Sequence, residues 1–283
     1  MKTVLVTPSY RPDIRRCELM LESAANHVRG FERHLLLIDA VDEKHFRALG
    51  GNNVEIILKE DLLPTWIRPL RLSRKWWWST RTLPVRGWIL QQVTKLAVAD
   101  AYPADAFCFA DSDLVFVRPF DAESLWREQK LRFYRDERKP HFFQSRRYRN
   151  WYGFAARQFD LGNEQNLTGA YIAQLNTLHA TPLLAMLEKI EAKWQRPWRD
   201  TLLRAQDFSE FVLYGVFVDH HGGEQWHYRT HNQLCHSSWL YDINSADDLN
   251  RFQAALAPDQ VAIHLQSNLG LKPEDIRRLL PPR

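Results

Sequence analysis

Cysteine is scarce in this chain. Three occur in 283 residues, Cys17, Cys108 and Cys235, far apart and with no C-x-x-C pair. That spacing suggests neither a disulfide framework nor a zinc ribbon, and free thiols fit a reducing compartment. Long apolar runs are lacking too, since no stretch approaches the roughly 18 residues of a membrane-spanning helix. The opening Met1–Pro8 stretch is too short for a secretory leader and lacks a small-residue cleavage site, so a first core strand and a cytoplasmic location are expected. Internal repeats, low-complexity tracts and a clear linker are missing, which makes residues 1–283 read as one domain. Nor does one sign of charge dominate: 38 Lys and Arg face 34 Asp and Glu, for a net charge of +4. Such a balance admits anionic ligands, nucleotides or lipid head groups among them, without demanding nucleic acid.

What is present is an ordinary globular composition, 45% hydrophobic and 25% charged, in a chain long enough to bury a sizeable core. Residues 3–7 read as a strand ending at Thr7-Pro8-Ser9-Tyr10. Pro12 and Asp13 open an amphipathic helix to about His27. Strands at 34–38 and 54–58 enclose a short helix that stops at Gly50-Gly51. This alternation argues for an α/β protein, a mixed and mainly parallel central sheet flanked by helices. Residues 60–86 interrupt it with arginines (Arg68, Arg71, Arg74, Arg81) and Lys75 among Trp66, Trp76, Trp77 and Trp78. A helix over about 87–102 carries Gln91, Gln92 and Lys95. Beyond a second basic-aromatic stretch at 132–159, residues 166–172 read as a glycine-containing turn entering a strand. Helices at about 182–194 and 207–214 and a late strand at 261–267 around His264 complete an elaborated second half.

The most informative segment is Ala106–Val117. Its apolar run reads as a buried strand, and Asp111 and Asp113 follow one residue apart. Strand side chains alternate, so the two carboxylates face the same way if the extended geometry persists. Two anions held together need a cation, and Mg²⁺ is commonly held by one or two carboxylates plus substrate phosphates. An aspartate pair capping the strand or starting a turn is the plainer alternative. The position between two apolar runs favours the metal.

In this order, Thr7–Tyr10, Gln91-Gln92 with Lys95, Asp111-Ser112-Asp113, Asn166–Tyr171, Asp207–Glu210 and His264 resemble the GT-A glycosyltransferases, nucleotide-diphospho-sugar transferases, and among them a bacterial branch whose activity is mostly unassigned. The resemblance implies a GT-A-like domain, with a nucleotide-binding half over about residues 1–120 and an acceptor-binding half over about 121–283. It implies Mn²⁺ or Mg²⁺ held by Asp111, Asp113 and His264 against the diphosphate of a sugar nucleotide. Thr7, Ser9 and Tyr10 would cradle the base, and Asp39 would contact base or ribose. Gly169, in the matching glycine-bearing segment, would be a further residue binding the nucleotide sugar. The implied reaction moves a sugar from a nucleotide-diphosphate donor to an acceptor hydroxyl, on a cell-surface glycan or a lipid-linked precursor.

Such a reaction needs charge neutralised at the leaving diphosphate, where Lys95 could help, although lysines are mostly solvated. A carboxylate must take the acceptor proton if configuration inverts. Glu210 is the candidate and Asp207 the second, three apart on one helical face, with a helix-capping box as the alternative. His264 in an apolar strand is otherwise a satisfied core group. The crowd of His220, His221, His227, His231, Cys235 and His236 fits no zinc spacing and reads as a polar loop. The basic-aromatic stretches stack sugars or bases, rest on the inner face of an anionic membrane, or form surface loops in which arginine covers tryptophan. Two other readings remain. One is a phosphatase of the haloacid dehalogenase type with Asp111 as nucleophile and Asp247-Asp248 as its distal acids. The other is a non-catalytic protein binding sugar or nucleic acid.

Overall fold

The computed structural model describes residues 1–51, 53–70, 75–138, 144–162, 169–241, 243, 245–266, 269 and 273–277. Arg71, Arg74, Asn166–Thr168 and Ser267, named above, lie outside the described residues. Strand β1 (Thr3–Pro8) is buried along its whole length and pairs in parallel on both sides. Its near-continuous apolar run is what a strand covered on both faces requires. Helix α1 (Ile14–His27) follows and buries Cys17, Leu19, Met20, Ser23 and Ala24 on one stripe. Strands β2 (Arg33–Ile38) and β3 (Val54–Leu58) extend the sheet on one side. Helix α2 (Gly87–Ala101) then leads into β4 (Ala106–Ala110), which lies on the other side of β1.

The chain turns at Asp111–Asp113, where the Leu114 amide donates to the Asp111 carbonyl (3.3 Å). It resumes as β5 (Leu114–Phe116) in a different, three-stranded sheet. The extended geometry therefore does not persist through the aspartates, and the expectation that both face one way is corrected. The second half contributes α3 (Arg146–Gln158), β6 (Leu175–His179), α4 (Ala180–Trp194), α5 (Glu210–His220), β7 (Cys235–Ser237) and β8 (Ala262–His264). The order in the main sheet is β6-β4-β1-β2-β3, with only β6 antiparallel. The order in the second sheet is β7-β8-β5.

Because β2 and β4 lie on opposite sides of β1, the parallel strands change direction of progression between β1 and β4. Open α/β sheets bind ligands outside the strand carboxyl ends at such a point. Helices α2 and α5 are apolar nearly all round, the pattern of helices buried between layers. Among the residues of α5, Glu210 through Val218 are all buried.

Several sequence expectations shift. The strand expected near 166–172 is β6, at Leu175–His179. The helix expected from Asp207 starts at Glu210, with the Ser209 side chain as its N-cap accepting from the Val212 amide. Asp207 and Glu210 do not share a helical face. The histidine-rich region is not one exposed loop: His220 and His231 are exposed, whereas His227 and His236 are buried. His227 bonds Tyr214 (2.7 Å) and the Leu131 carbonyl (3.2 Å), and His236 stacks on Phe252. All three cysteines are free and buried. Burial pushes the Cys17 thiol up to about 12 and raises those of Cys108 and Cys235 as well, so none is a ready nucleophile. No helix among the described residues is long and apolar enough to cross a membrane.

Candidate functional site

The site is built at the carboxyl edge of the main sheet, where the loops after β1, β2 and β4 meet. Asp111 and Asp113 occupy the turn between β4 and β5. Strand β8 pairs with β5 so that His264 lies opposite Leu114, which brings the imidazole beside Asp113. The His264 Nε2 is 3.3 Å from Asp113 Oδ2. Strand β7 runs parallel to β8 with Ser237 opposite His264, and Ser237 Oγ bonds the other ring nitrogen, Nδ1, at 3.0 Å. A histidine whose second nitrogen is fixed in this way presents the first in a defined direction. The Trp239 ring stands edge-on to the imidazole, 6.3 Å between centroids.

Asp111 turns the other way. Its Oδ1 is 3.4 Å from the Lys95 ammonium, which is also 3.0 Å from Glu210 Oε1. Lys95 is 4% exposed and Glu210 2%, so the reading of Lys95 as a solvated helix lysine is overturned. In α2, residues Ile89 to Val98 other than Gln91 are buried, and the ammonium lies 5.0 Å from the Phe211 ring centroid and 6.0 Å from that of Phe109. Burial alone depresses an ammonium, but the Glu210 and Asp111 carboxylates outweigh it and hold Lys95 above its ordinary value. Lys95 therefore stays charged. Glu210, the candidate base, is a buried ion-pair partner at the first position of α5.

The donor-side residues line the neighbouring loops. Thr7 is fully buried and its Oγ1 bonds His34 Nε2 at 2.8 Å, within the sheet. Ser9 is buried, its carbonyl accepting from Lys59 Nζ at 3.2 Å, and the same ammonium pairs with Asp39 at 3.0 Å. Lys59 thus ties the ends of β1 and β2 together. Tyr10 is 41% exposed, with its phenol raised by burial and by the charges of Asp13 and Asp113. Burial and then Asp113 also raise Asp13, which Arg16 opposes. Arg16 in turn donates to the Leu265 carbonyl (2.8 Å) just after β8.

Two expected residues stand apart from this group. Asp207 accepts from Arg147 Nε at 3.3 Å on the solvent side of α3. Gly169 packs against Arg135, and its carbonyl accepts from the Tyr148 hydroxyl at 2.8 Å. Sequence reasoning missed Asp13, Arg16, Ser237 and Trp239 as members of the site. Asp13 had a signal, an acid directly after the Thr7–Tyr10 loop. The others are placed by pairing across the chain and had none.

Carboxylate and imidazole are the donor types that suit Mn²⁺, and carboxylates suit Mg²⁺. Among the described residues no group of three or more His, Cys, Asp or Glu side chains is already arranged around a metal position. Asp113 and His264 touch, and Asp111 is drawn toward Lys95 at the other side of the turn. By donor chemistry, and by the Ser237 anchor on His264, these residues fit a divalent cation.

The model of a family described as a family of unknown function, DUF6492, matches residues 3–282. The chain belongs to this family. A comparison with curated proteins gives no match for this DUF6492 chain. Among solved structures it is similar to the apo-form glycosyltransferase GlyE of Streptococcus pneumoniae TIGR4, with 13% identity and a TM-score of 0.46. The alignment covers 94% of the DUF6492 chain and 55% of GlyE, so the chain spans little more than half of that protein's length. Asp247 and Asp248, the distal acids of the phosphatase reading, lie in the first turn of the Ala246–Ala254 helix. The Ser245 side chain caps that turn, and Asp248 pairs with Arg251.

Proposed function

We propose that this protein is a metal-dependent glycosyltransferase that moves a sugar from a nucleotide-diphosphate donor to an acceptor hydroxyl. The observation that carries the reading is the contact of Asp113 with His264 from opposite ends of the chain, across one turn from Asp111 and its partner, the buried, charged Lys95. They meet at the edge of the sheet where α/β proteins hold phosphorylated ligands. Asp111, Asp113 and His264 would hold Mn²⁺ or Mg²⁺, which as a Lewis acid neutralises charge on the departing diphosphate. Lys95 keeps a fixed positive charge at the same edge and sets the position of both Asp111 and Glu210.

The loop at Ser9–Tyr10 and the Lys59–Asp39 pair supply the surface for base and ribose. Thr7, buried and bonded to His34, shapes that loop from beneath. Glu210, bound to Lys95, holds the reacting end in place and can take a proton only when the ammonium gives way. Asp207 is assigned to the acceptor side and Gly169 to the donor; residues 1–120 serve mainly the donor and 121–283 mainly the acceptor within one domain. The acceptor is a glycan or a lipid-linked precursor, handled in the cytoplasm.

The test is a thermal-shift screen of nucleotide sugars with and without Mn²⁺. A ligand at 100 times its dissociation constant stabilises the fold by about 2.7 kcal/mol. The expected result is stabilisation by one class of nucleotide sugar that requires the metal and is lost in Asp113→Asn. If no nucleotide or nucleotide sugar shifts the melting temperature under either condition, the donor reading is wrong. Stabilisation by phosphomonoesters with release of phosphate would favour the phosphatase.

A further inference from the structure

The stretch that interrupts the α/β alternation folds into a small antiparallel sheet of Ile67–Pro69, Trp76–Ser79 and Val85–Arg86. Its inner face is buried through Ile67, Trp77, Ser79 and Val85. Alternation then forces the neighbouring side chains outward. Arg68 stands opposite Trp78, and Trp76 opposite Arg86, on the solvent face. Trp76 is 39% exposed, Trp78 53% and Leu83 83%. The Arg86 guanidinium lies 5.5 Å from the Trp76 ring centroid. No Asp or Glu occurs between Pro64 and Trp88, and Arg81 reaches Asp200 outside the stretch at 3.4 Å.

We infer that this outer face of Arg68, Trp76, Trp78 and Arg86, together with the exposed Leu83 of the turn before the third strand, is a docking surface for an anionic phospholipid bilayer. Two observations single out that partner. The charge on the face is of one sign and concentrated, although the whole chain is nearly balanced, so it matches an anionic plane and not a neutral glycan. The apolar part mixes tryptophan with a bare leucine. Indole rings settle at the head-group level, and an aliphatic side chain gains by entering the acyl region, whereas it gains nothing by facing a sugar ring or a phosphate. Left in water, this apolar surface costs free energy in proportion to its area.

The face also lies near the candidate site. Arg86 leads directly into α2, and Trp88 and Lys95 on that helix are about 10 Å apart along its axis. A bilayer seated on the face would therefore lie beside the candidate site. The inference does not depend on the donor reading, because binding is measured without nucleotide or metal.

The experiment is flotation of the full chain with vesicles of phosphatidylglycerol and phosphatidylcholine, against vesicles of phosphatidylcholine alone. The expected result is binding to the first and not the second, weakening as salt shortens the screening length. Trp76→Ala combined with Trp78→Ala, and Leu83→Ser separately, should reduce binding tenfold or more with an unchanged melting temperature, since these side chains lie outside the core. Arg68→Ala and Arg86→Ala should each cost about fivefold, and Arg15→Ala on α1 nothing. Absence of flotation with phosphatidylglycerol vesicles at low salt overturns the inference. So does an equal loss in Arg15→Ala, or retention on neutral oligosaccharide beads that depends on Trp76 and Trp78 without vesicle binding.

Discussion

Replacing Lys95 with methionine removes one charge from a pair sealed between two buried helices. Methionine keeps the length and the apolar stem, so the change is chiefly electrostatic. Lys95 and Glu210 are 3.0 Å apart with side chains 5% and 2% exposed. At that separation two unit charges attract by about 5–6 kcal/mol with an effective dielectric constant near 20. The variant loses this attraction and still bears the cost of burying Glu210, so a destabilisation of about 3–5 kcal/mol is expected. Asp111, more open to water, adds little. Lys95→Met combined with Glu210→Met removes both ions and should recover most of that loss, because the two desolvation costs vanish together.

The pH dependence follows in sign. Because Lys95 is held above its ordinary value in the fold, the pair contributes in full below the unfolded lysine value of about 10.4 and is lost only as pH rises through the folded one. In Lys95→Met, Glu210 is left as a lone buried carboxylate, costly only while it is charged. The deficit of that variant should therefore shrink as pH falls from 8 toward 5. Urea unfolding of wild type, both single variants and the double variant measures all of this. A single variant within about 1 kcal/mol of wild type, or additive losses in the double, would refute the argument.

Three further outcomes are expected. Ser237→Ala frees the His264 ring and should weaken Mn²⁺ binding by about 10–100-fold with the fold intact. His264→Asn should weaken it at least as much, and calorimetric titration with Mn²⁺ alone reads both; unchanged affinity would remove His264 from the metal site. His34 is fully buried and neutral, and burial lowers it to about 4. The unfolded chain takes up that proton first, so stability present above pH 6.5 should be lost between about 6.5 and 4, by up to about 3 kcal/mol. His34→Leu should flatten that part of the profile, and a profile with the same slope would show that His34 is not its source. Gly215→Ala would place a Cβ 2.3 Å from the Tyr171 ring, whose hydroxyl donates to Asp219 at 2.6 Å. A loss of about 1–3 kcal/mol in unfolding free energy is expected from such overpacking, and a neutral substitution would mean that the ring moves freely aside.

Much of the frame is legible in the order of the residues alone. The strands at 3–8, 33–38, 54–58 and 106–110 are each built on a mainly apolar run between turn residues. The α1 boundary is written in Pro12 and Asp13. Local rules mislead where tertiary contacts decide. Strand alternation does not carry past Ala110, because the turn at Asp111 sends the chain into another sheet and the aspartates apart. Asp207 has the form of a helix start, yet Ser209 takes the cap and Asp207 pairs with Arg147 outside the helix. Lysine is usually solvated, and Lys95 is not, since α5 covers α2.

By itself the sequence determined the alternation of strand and helix, the acidic turn after β4, and the basic, acid-free stretch among the tryptophans. These rest on periodicity and on neighbours a few residues away. Only the tertiary structure decided that Glu210 closes on Lys95, that Ser237 steadies His264 beside Asp113, and that Trp76 and Trp78 face outward while Trp77 is buried. Each depends on which elements pack together, and contacts between residues tens or hundreds of positions apart are set by the packing of whole layers, not by any local pattern.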